Sequence, residues 1–171
     1  MRKIIFILFL SIGLSSCADS LDSAFDIDME TFFVIPAGLN SIDTHVFEIS
    51  NVPTFVRTNL PGSAIEDVTS VRANTAILTG RFTSIDFRII ERITIDVVST
   101  VDNELDREAF FMTFIPIDQE GDLALFSSLP ELREILLNET VNLRFTINFK
   151  SFVPSDIETR VLLNFKAFVD G

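Results

Sequence analysis

Two stretches near the end of the chain alternate between apolar and polar side chains with a period of two. In the first, VNLRFTINFK, the apolar set is Val141, Leu143, Phe145, Ile147 and Phe149, and the polar set is Asn142, Arg144, Thr146, Asn148 and Lys150. A helix would scatter these apolar residues around its surface, whereas a strand places all of them on one face. The second stretch, IETRVLLNFKAFV, repeats the pattern, and Pro154 between the two predicts a turn. We therefore predict two strands that pair as a hairpin and close the domain.

The same period recurs upstream. The segments TFFVIP, THVFEISNV, EDVTSVRANTAILTG and FRIIERITIDVV are rich in β-branched and aromatic residues and are separated by turn residues. A further segment, AFFMTFIPI, is apolar on both faces, which predicts a strand in the middle of a packed layer.

One segment, SSLPELREILLN, has helical spacing instead. Ser128 followed by Glu131 fits a capping box, and Pro130 is tolerated in a first helical turn. Together the patterns predict an all-β fold with seven or eight strands. We expect a two-sheet antiparallel sandwich, immunoglobulin-like or fibronectin-like, with one short crossover helix.

The start of the chain differs in character from the rest. Arg2 and Lys3 precede the apolar run IIFILFLSIGL, residues 4–14. As a helix this run spans roughly 16 Å, too short for a bilayer core of about 30 Å. A basic start, a short apolar run and then small residues are typical of a secretory signal peptide. The alternative is a buried N-terminal helix.

Leu14, Ser15, Ser16 and Cys17, at the end of this run, resemble the lipobox of bacterial lipoproteins. The resemblance implies a diacylglyceryl group on the Cys17 thiol, cleavage between Ser16 and Cys17, and acylation of the new amine. Two or more acyl chains, palmitate among them, hold a protein stably at a membrane. The alternative is a free thiol or an intermolecular disulfide, since Cys17 is the single cysteine.

These features divide the chain into three parts. Residues 1–16 form the signal peptide, residues 17–30 an acidic tether, and residues 31–171 the β-sandwich domain. The layout resembles the short β-sandwich lipoproteins of Bacteroidota, a resemblance that brings no activity with it. It implies a membrane-anchored lipoprotein of the cell envelope, on the periplasmic or surface face of the outer membrane where the cell has two membranes.

The composition argues against several classes of function. The net charge of −12 becomes −14 once Arg2 and Lys3 are removed with the signal peptide. Such a charge argues against nucleic acid as a partner, because binding a phosphate backbone needs Lys and Arg. The chain has 18 Phe but no Tyr or Trp, which weakens a carbohydrate-binding hypothesis.

Catalytic motifs are scarce. His45 is the only histidine, and Asp43, two residues earlier, would share its face of a strand. No nucleophile elbow or phosphate loop is present in the sequence. We predict that the protein is not an enzyme and needs no cofactor. A hydrolase built on converging carboxylates is the less favoured alternative.

Two acidic clusters resemble the first half of a calcium loop. They are Asp102, Glu104 and Asp106, and Asp118, Glu120 and Asp122. Arg107 and Leu123 stand where glycine is expected, and Thr113 and Leu129 where glutamate is expected. The clusters should lie at opposite ends of the fold. They predict either solvated loop tips or a calcium-dependent adhesion module.

The leading hypothesis is a lipid-anchored, non-enzymatic binding or structural module. Its partners would be the membrane, through the acyl chains, and a protein that the sequence does not identify. Leu162 and Phe168 lie on the otherwise polar face of the last strand. If exposed they form a docking face, and if covered they are part of the core.

Overall fold

The computed structural model describes residues 25–56, 65–82, 85–102, 104–116, 118–119 and 121–169. Eight strands cover most of this part of the chain. They are β1 (Phe25–Ile35), β2 (His45–Pro53), β3 (Val68–Gly80), β4 (Ile90–Ser99), β5 (Asp106–Met112), β6 (Leu123–Ser127), β7 (Thr140–Phe149) and β8 (Ile157–Val169). A short 3-10 helix, Phe87–Ile89, precedes β4, and an α-helix, α1 (Arg133–Leu136), connects β6 to β7.

The strands pair as one long hairpin of four outgoing and four returning strands. β1 pairs with β8, β2 with β7, β3 with β6 and β4 with β5, all antiparallel. Further pairings join β8 to β3, β4 to β7 and β5 to β6, which gives the order β1-β8-β3-β6-β5-β4-β7-β2. Nested pairing of this kind, rolled up so that its halves face each other, is the topology of a jelly roll.

The predicted all-β, antiparallel class is confirmed, and the period-two stretches are strands. The predicted hairpin between the last two strands is wrong, because β7 pairs with β2 and β4 while β8 pairs with β1 and β3. Residues 150–156 thus carry the chain from one half of the sheet to the other. Two separate sheets are not confirmed, since the β5–β6 pairing links all eight strands into one.

Phenylalanine rings join the two halves across the core. Phe110 of β5 lies 5.4 Å from Phe165 of β8, and Phe33 of β1 stacks 4.5 Å from Phe145 of β7. Phe110, Phe145 and Phe165 are completely buried. Phe has no polar group that would need a partner inside, which accounts for its frequent use here.

β1 and β2 are the two edges of the sheet and approach each other without pairing. Phe33 and Phe47 close the gap between them, with ring centroids 5.7 Å apart. β2 also changes register between Ile49 and Val52, at Asn51, whose φ is 58°. A bulge twists an edge strand away from further pairing, so this edge is protected against aggregation.

The first strand begins inside the segment predicted as an acidic tether. β1 begins at Phe25 and pairs with β8 from Phe25 opposite Ala167 onward, so residues 25–30 belong to the sheet. Ile27 and Met29 are buried, whereas the acidic residues between them point outward. Residues 17–24 of the predicted tether lie outside the described residues.

The predicted crossover helix exists, but its capping box does not. The Ser128 hydroxyl bonds to Glu108, 3.0 Å away, rather than to the helix. The Glu131 carboxylate instead accepts the backbone N–H groups of Leu132 and Arg133. Within the described part of the chain, no helix is long and apolar enough to span a bilayer.

Candidate functional site

The lipobox residues, Leu14, Ser15, Ser16 and Cys17, lie outside the described residues. The structure does define the end of the sheet at which β1 begins, here called the start end. Phe25 lies there opposite Ala167, near the end of β8. At the opposite end, the far end, four loops connect the strands: residues 36–44, 81–89, 113–122 and 150–156.

The pairing of Asp43 with His45 that their spacing would allow does not form. The Nε2 atom of His45 lies 2.9 Å from the Asn40 carbonyl oxygen, and the Asp43 carboxylate accepts the Asn40 amide at 2.8 Å. Both side chains therefore hold one loop in shape.

In the first acidic cluster, Asp102 and Asp106 make hydrogen bonds and ion pairs within the protein. The Asp102 carboxylate accepts the Glu104 N–H at 3.0 Å and so closes a local turn between β4 and β5. The Asp106 carboxylate forms an ion pair with Arg144 at 2.9 Å. These side chains thus serve the fold at the start end.

The second cluster lies at the other end of β5, as predicted. Asp118 and Asp122 flank Gln119, whose amide donates to the Asp122 carbonyl at 2.8 Å, while Glu120 lies outside the described residues. Among the residues that the structure describes, no three His, Cys, Asp or Glu side chains form a group that could hold a metal ion.

A row of charged residues crosses the outer face of β2, β7, β4 and β5. Glu48, Arg144, Asp96 and Glu108 are successive cross-strand partners. Arg144 donates to Glu48 at 3.0 Å as well as to Asp106, which raises its pKa. Burial raises the pKa of Asp96, Arg144 opposes this, and the neighbouring Glu108 and Asp106 add to it. Because the arginine partly balances these carboxylates, we interpret the row as an ion-pair network of the sheet.

Leu162 lies half-buried in an apolar groove on the outer face of β1, β8 and β3. Phe32, Phe55 and Ile77 line the same groove, whose volume is about 650 Å³. Phe168 is also half-buried, and the Arg72 guanidinium lies 6.0 Å from its ring centroid. Leu162 and Phe168 are therefore partly exposed, between the fully exposed and the core positions that the sequence left open.

The far-end loops are bound to one another through residues 150–156. The Val153 N–H donates to the Leu39 carbonyl at 3.0 Å, which ties in the β1–β2 loop. The Lys150 backbone N–H donates to Ile89 at 2.7 Å, and its ammonium donates to the Ile115 carbonyl at 2.7 Å. The far end is thus one connected surface rather than four independent loops.

Among the described residues, each far-end loop has a large apolar side chain that is exposed to solvent. They are Ile42, Phe82, Phe114 and Phe152, with exposed fractions of 90%, 75%, 66% and 60%. The predicted strand AFFMTFIPI ends at Met112, which leaves Phe114 in a loop. Exposed apolar residues also occur at the start end, among them Leu129, so exposure alone does not identify a site.

The far end also carries a cavity of about 470 Å³ between the β3–β4 and β7–β8 loops. Its apolar lining comes from Phe82, Ile85, Ile89, Pro154 and Ile157. Asp86, from the β3–β4 loop, and Asp156 and Glu158, from the β7–β8 side, add carboxylates to the lining. Concave, mostly apolar cavities of this size with a few polar groups are the usual form of binding sites.

Arg81 holds one wall of the cavity in place. Its guanidinium lies between two rings, 4.8 Å from the centroid of Phe32 and 4.9 Å from that of Phe82. Its backbone N–H also donates to the Glu158 carbonyl at 3.0 Å. The guanidinium thus makes cation–π contacts with both rings, and these favour this position of Phe82 although that ring faces solvent.

The Asp86 carboxylate at the cavity is ionised. Its side-chain hydrogen bonds with Arg88 hold its pKa below the usual value against the opposing effect of burial. The Asp156 carboxylate accepts the Ala37 N–H at 2.7 Å. The polar part of the lining is therefore anionic.

The sequence analysis missed this cavity. Locally, the sequence shows only a large apolar residue beside turn residues, as in SFVPSD. The loops that line the cavity are distant from one another in the sequence. Their meeting follows from the nested pairing of the strands.

No family model and no curated protein matches the chain. Among solved structures, it is similar to a chain of the Cyanophage Pam1 capsid asymmetric unit, with 9% identity and a TM-score of 0.41, over 85% of this chain and 86% of that one. It is also similar to FLHE, with 9% identity and a TM-score of 0.35, over 85% and 97% of the two chains. Likeness at this level carries no information about function.

Proposed function

We propose that this protein is a lipid-anchored, non-enzymatic module of the cell envelope that binds a protein partner through its far end. The observation that carries the anchor is the sequence Leu14-Ser15-Ser16-Cys17 at the end of a short apolar run. By resemblance to lipoproteins, Cys17 would bear the acyl chains and become the first residue of the mature protein.

The geometry of the sheet supports an outward-facing far end. Residues 17–24 can extend at most about 26–29 Å, and they lead directly into β1 at the start end. β8, with thirteen residues, spans about 43 Å between the two ends. An anchor at Cys17 would therefore keep the start end within about 29 Å of the membrane and leave the far end free to lie further from it.

Binding rather than catalysis is supported by the contacts of the described residues. His45 and Asp43 stabilise a loop, and Arg144 pairs with both Glu48 and Asp106. Loops on a rigid scaffold are common positions for recognition. The scaffold resembles a sandwich because the two halves of its sheet pack face to face.

A Cys17→Ser variant tests the anchor. We expect the parent to fractionate with membranes and to incorporate labelled palmitate, and the variant to do neither, because a serine hydroxyl does not form the thioether. Ser20→Ala, outside the lipobox, serves as the control and should behave like the parent. Equal partitioning of Cys17→Ser and the parent would refute the anchor.

Calcium-dependent adhesion through the acidic loops stays a prediction. No observation on the described residues favours it, because Asp102 and Asp106 are already engaged by the fold.

A further inference from the structure

We propose that the far-end cavity binds a basic amphipathic segment of the partner protein, with one apolar side chain inside the cavity and a Lys or Arg beside it. This inference rests on the proposed function and adds the chemistry of the partner. It does not depend on the anchor.

The apolar part of the argument comes from the shape and lining of the cavity. Phe82, Ile85 and Ile157 come from both sides of it, and Phe82 is 75% exposed in the unbound chain. An apolar side chain placed there would remove this ring from water at roughly 25 cal/mol for each Å² buried. Rings that become buried at the centre of a contact are common hot spots of binding.

The electrostatic part comes from the carboxylates of the same cavity. Asp86 is balanced by Arg88 at 2.7 Å, whereas Glu158 lies 3.8 Å from Arg81, with both side chains about half exposed. Asp156, on the β7–β8 side of the cavity, accepts the Ala37 backbone N–H at 2.7 Å. A cation at this rim is thus attracted both locally and by a chain of net charge −12.

The cations of the far-end loops do not offer a site for an anion. Arg81, although about half exposed, already contacts the rings of Phe32 and Phe82 and lies 3.8 Å from Glu158, and Arg88 is paired with Asp86. The Lys150 ammonium donates to the Ile115 carbonyl and lies 5.3 Å from the Phe114 ring centroid. An acidic peptide or an anionic lipid surface would therefore meet repulsion from the carboxylates without a compensating contact.

The cavity is formed before a partner arrives. Hydrogen bonds from Lys150 and Val153 fix the β7–β8 loop against three other loops, and Arg81 fixes Phe82. Binding to a preformed surface avoids the entropy cost of ordering loops, so a short segment is sufficient.

The test uses the purified full chain and three probes: the blocked peptides Gly-Lys-Phe-Lys-Gly, Gly-Glu-Phe-Glu-Gly and Gly-Lys-Ser-Lys-Gly. Saturation-transfer difference NMR measures the contact of each peptide with the protein. We expect signal on the Phe ring of the first peptide, and at least a fivefold weaker signal from each of the other two. The signal should decrease with added salt, because the attraction is electrostatic.

Two variants and two matched controls locate the contact. Phe82→Ser and Glu158→Gln should each reduce the signal at least threefold, and both residues are exposed enough for the fold to persist, which the melting temperature checks. Leu129→Ser and Glu104→Gln, at the start end, should leave it unchanged. The proposal is overturned if the control variants lose as much signal as Phe82→Ser and Glu158→Gln. It is also overturned if the acidic peptide binds as well as the basic one, or if the protein binds anionic vesicles instead of the basic peptide. A negative result with the peptides would not contradict the Cys17 anchor, and a negative result with Cys17→Ser would not contradict peptide binding at the cavity.

Discussion

Replacing Glu131 by alanine should destabilise the fold more than any other substitution of an exposed acidic residue near helix α1. The part of β3 around Val71 has no β6 residue opposite it, since the β3–β6 pairing covers only Ala76 to Leu78. Residues that follow β6 lie against this part of β3 instead. The Leu132 N–H donates to the Val71 carbonyl at 2.9 Å, and the Glu131 carboxylate accepts the Val71 N–H at 2.7 Å.

The magnitude follows from the donors that Glu131 satisfies. Its carboxylate also accepts the Ser70 hydroxyl at 2.5 Å and the Arg133 N–H at 3.0 Å. A hydrogen bond to a charged group contributes about 1.5–3 kcal/mol, and a buried donor left unsatisfied costs about 1–3 kcal/mol. Val71 is completely buried, whereas water can replace Glu131 at the more exposed donors. We therefore expect a loss of about 2–3 kcal/mol, which corresponds to a fall of about 4–12 °C in melting temperature for a domain of this size.

The loss should depend on pH. Burial works to raise the pKa of Glu131, but the hydrogen bonds from Ser70, Val71, Arg133 and Leu132 outweigh it, so the pKa is lowered. A carboxylate with a lowered pKa contributes stability above its unfolded-state pKa and loses it as the pH falls through the folded-state pKa. Urea denaturation at pH 7 and at about pH 3 should therefore give a larger difference between the parent and Glu131→Ala at pH 7. Glu134→Ala is the control, within about 0.5 kcal/mol of the parent. If Glu131→Ala matches that control at pH 7, the edge-covering role is refuted.

Three further predictions concern the core, the charged row and the acidic loops. Phe165→Ala removes a completely buried ring that contacts Phe110 and should cost about 3–5 kcal/mol in urea denaturation, while Phe152→Ala, exposed at the far end, should cost less than about 0.5 kcal/mol. Asp96→Asn should raise the melting temperature at pH 7, since burial raises the pKa of Asp96 and its ionised form is disfavoured in the fold. That gain should shrink as the pH falls through the raised folded-state pKa toward the unfolded-state value, and a gain that grows on acidification would contradict it. Calcium at millimolar concentration should change neither the melting temperature nor the heat measured by titration calorimetry, and a calcium-dependent rise in melting temperature would restore the adhesion hypothesis.

The strands were predictable because alternation is a local property of the sequence. Val141, Leu143 and Phe145 are all buried as their spacing requires. The same alternation occurs in FDIDMET, where Ile27 and Met29 alternate with acidic residues, although the acidity of the segment by itself favours a tether. Charge on the outer face of an edge strand and charge in a linker are similar in composition, and only the alternation separates them.

The pairing of the strands was not predictable in the same way. A short connection with Pro154 favours a hairpin, yet the structure uses it to cross between sheet halves. The alternation determines which face of a strand is buried, but it does not determine which strands pair with it. Long-range pairing such as that of Phe25 with Ala167 is decided by how the whole set of faces packs, which no local window contains.

The nested pairing also connects the two proposals. Because strands that are far apart in sequence run side by side, alternate connections collect at the same end of the sheet. The four loops that carry Ile42, Phe82, Phe114 and Phe152 meet opposite the end at which β1 begins. An anchor attached before β1 therefore leaves the connected, cavity-bearing surface accessible to a partner without any linker longer than residues 17–24. The acidic charge of the chain then acts in the same direction, since it keeps anionic surfaces away from the far end and favours a basic partner there.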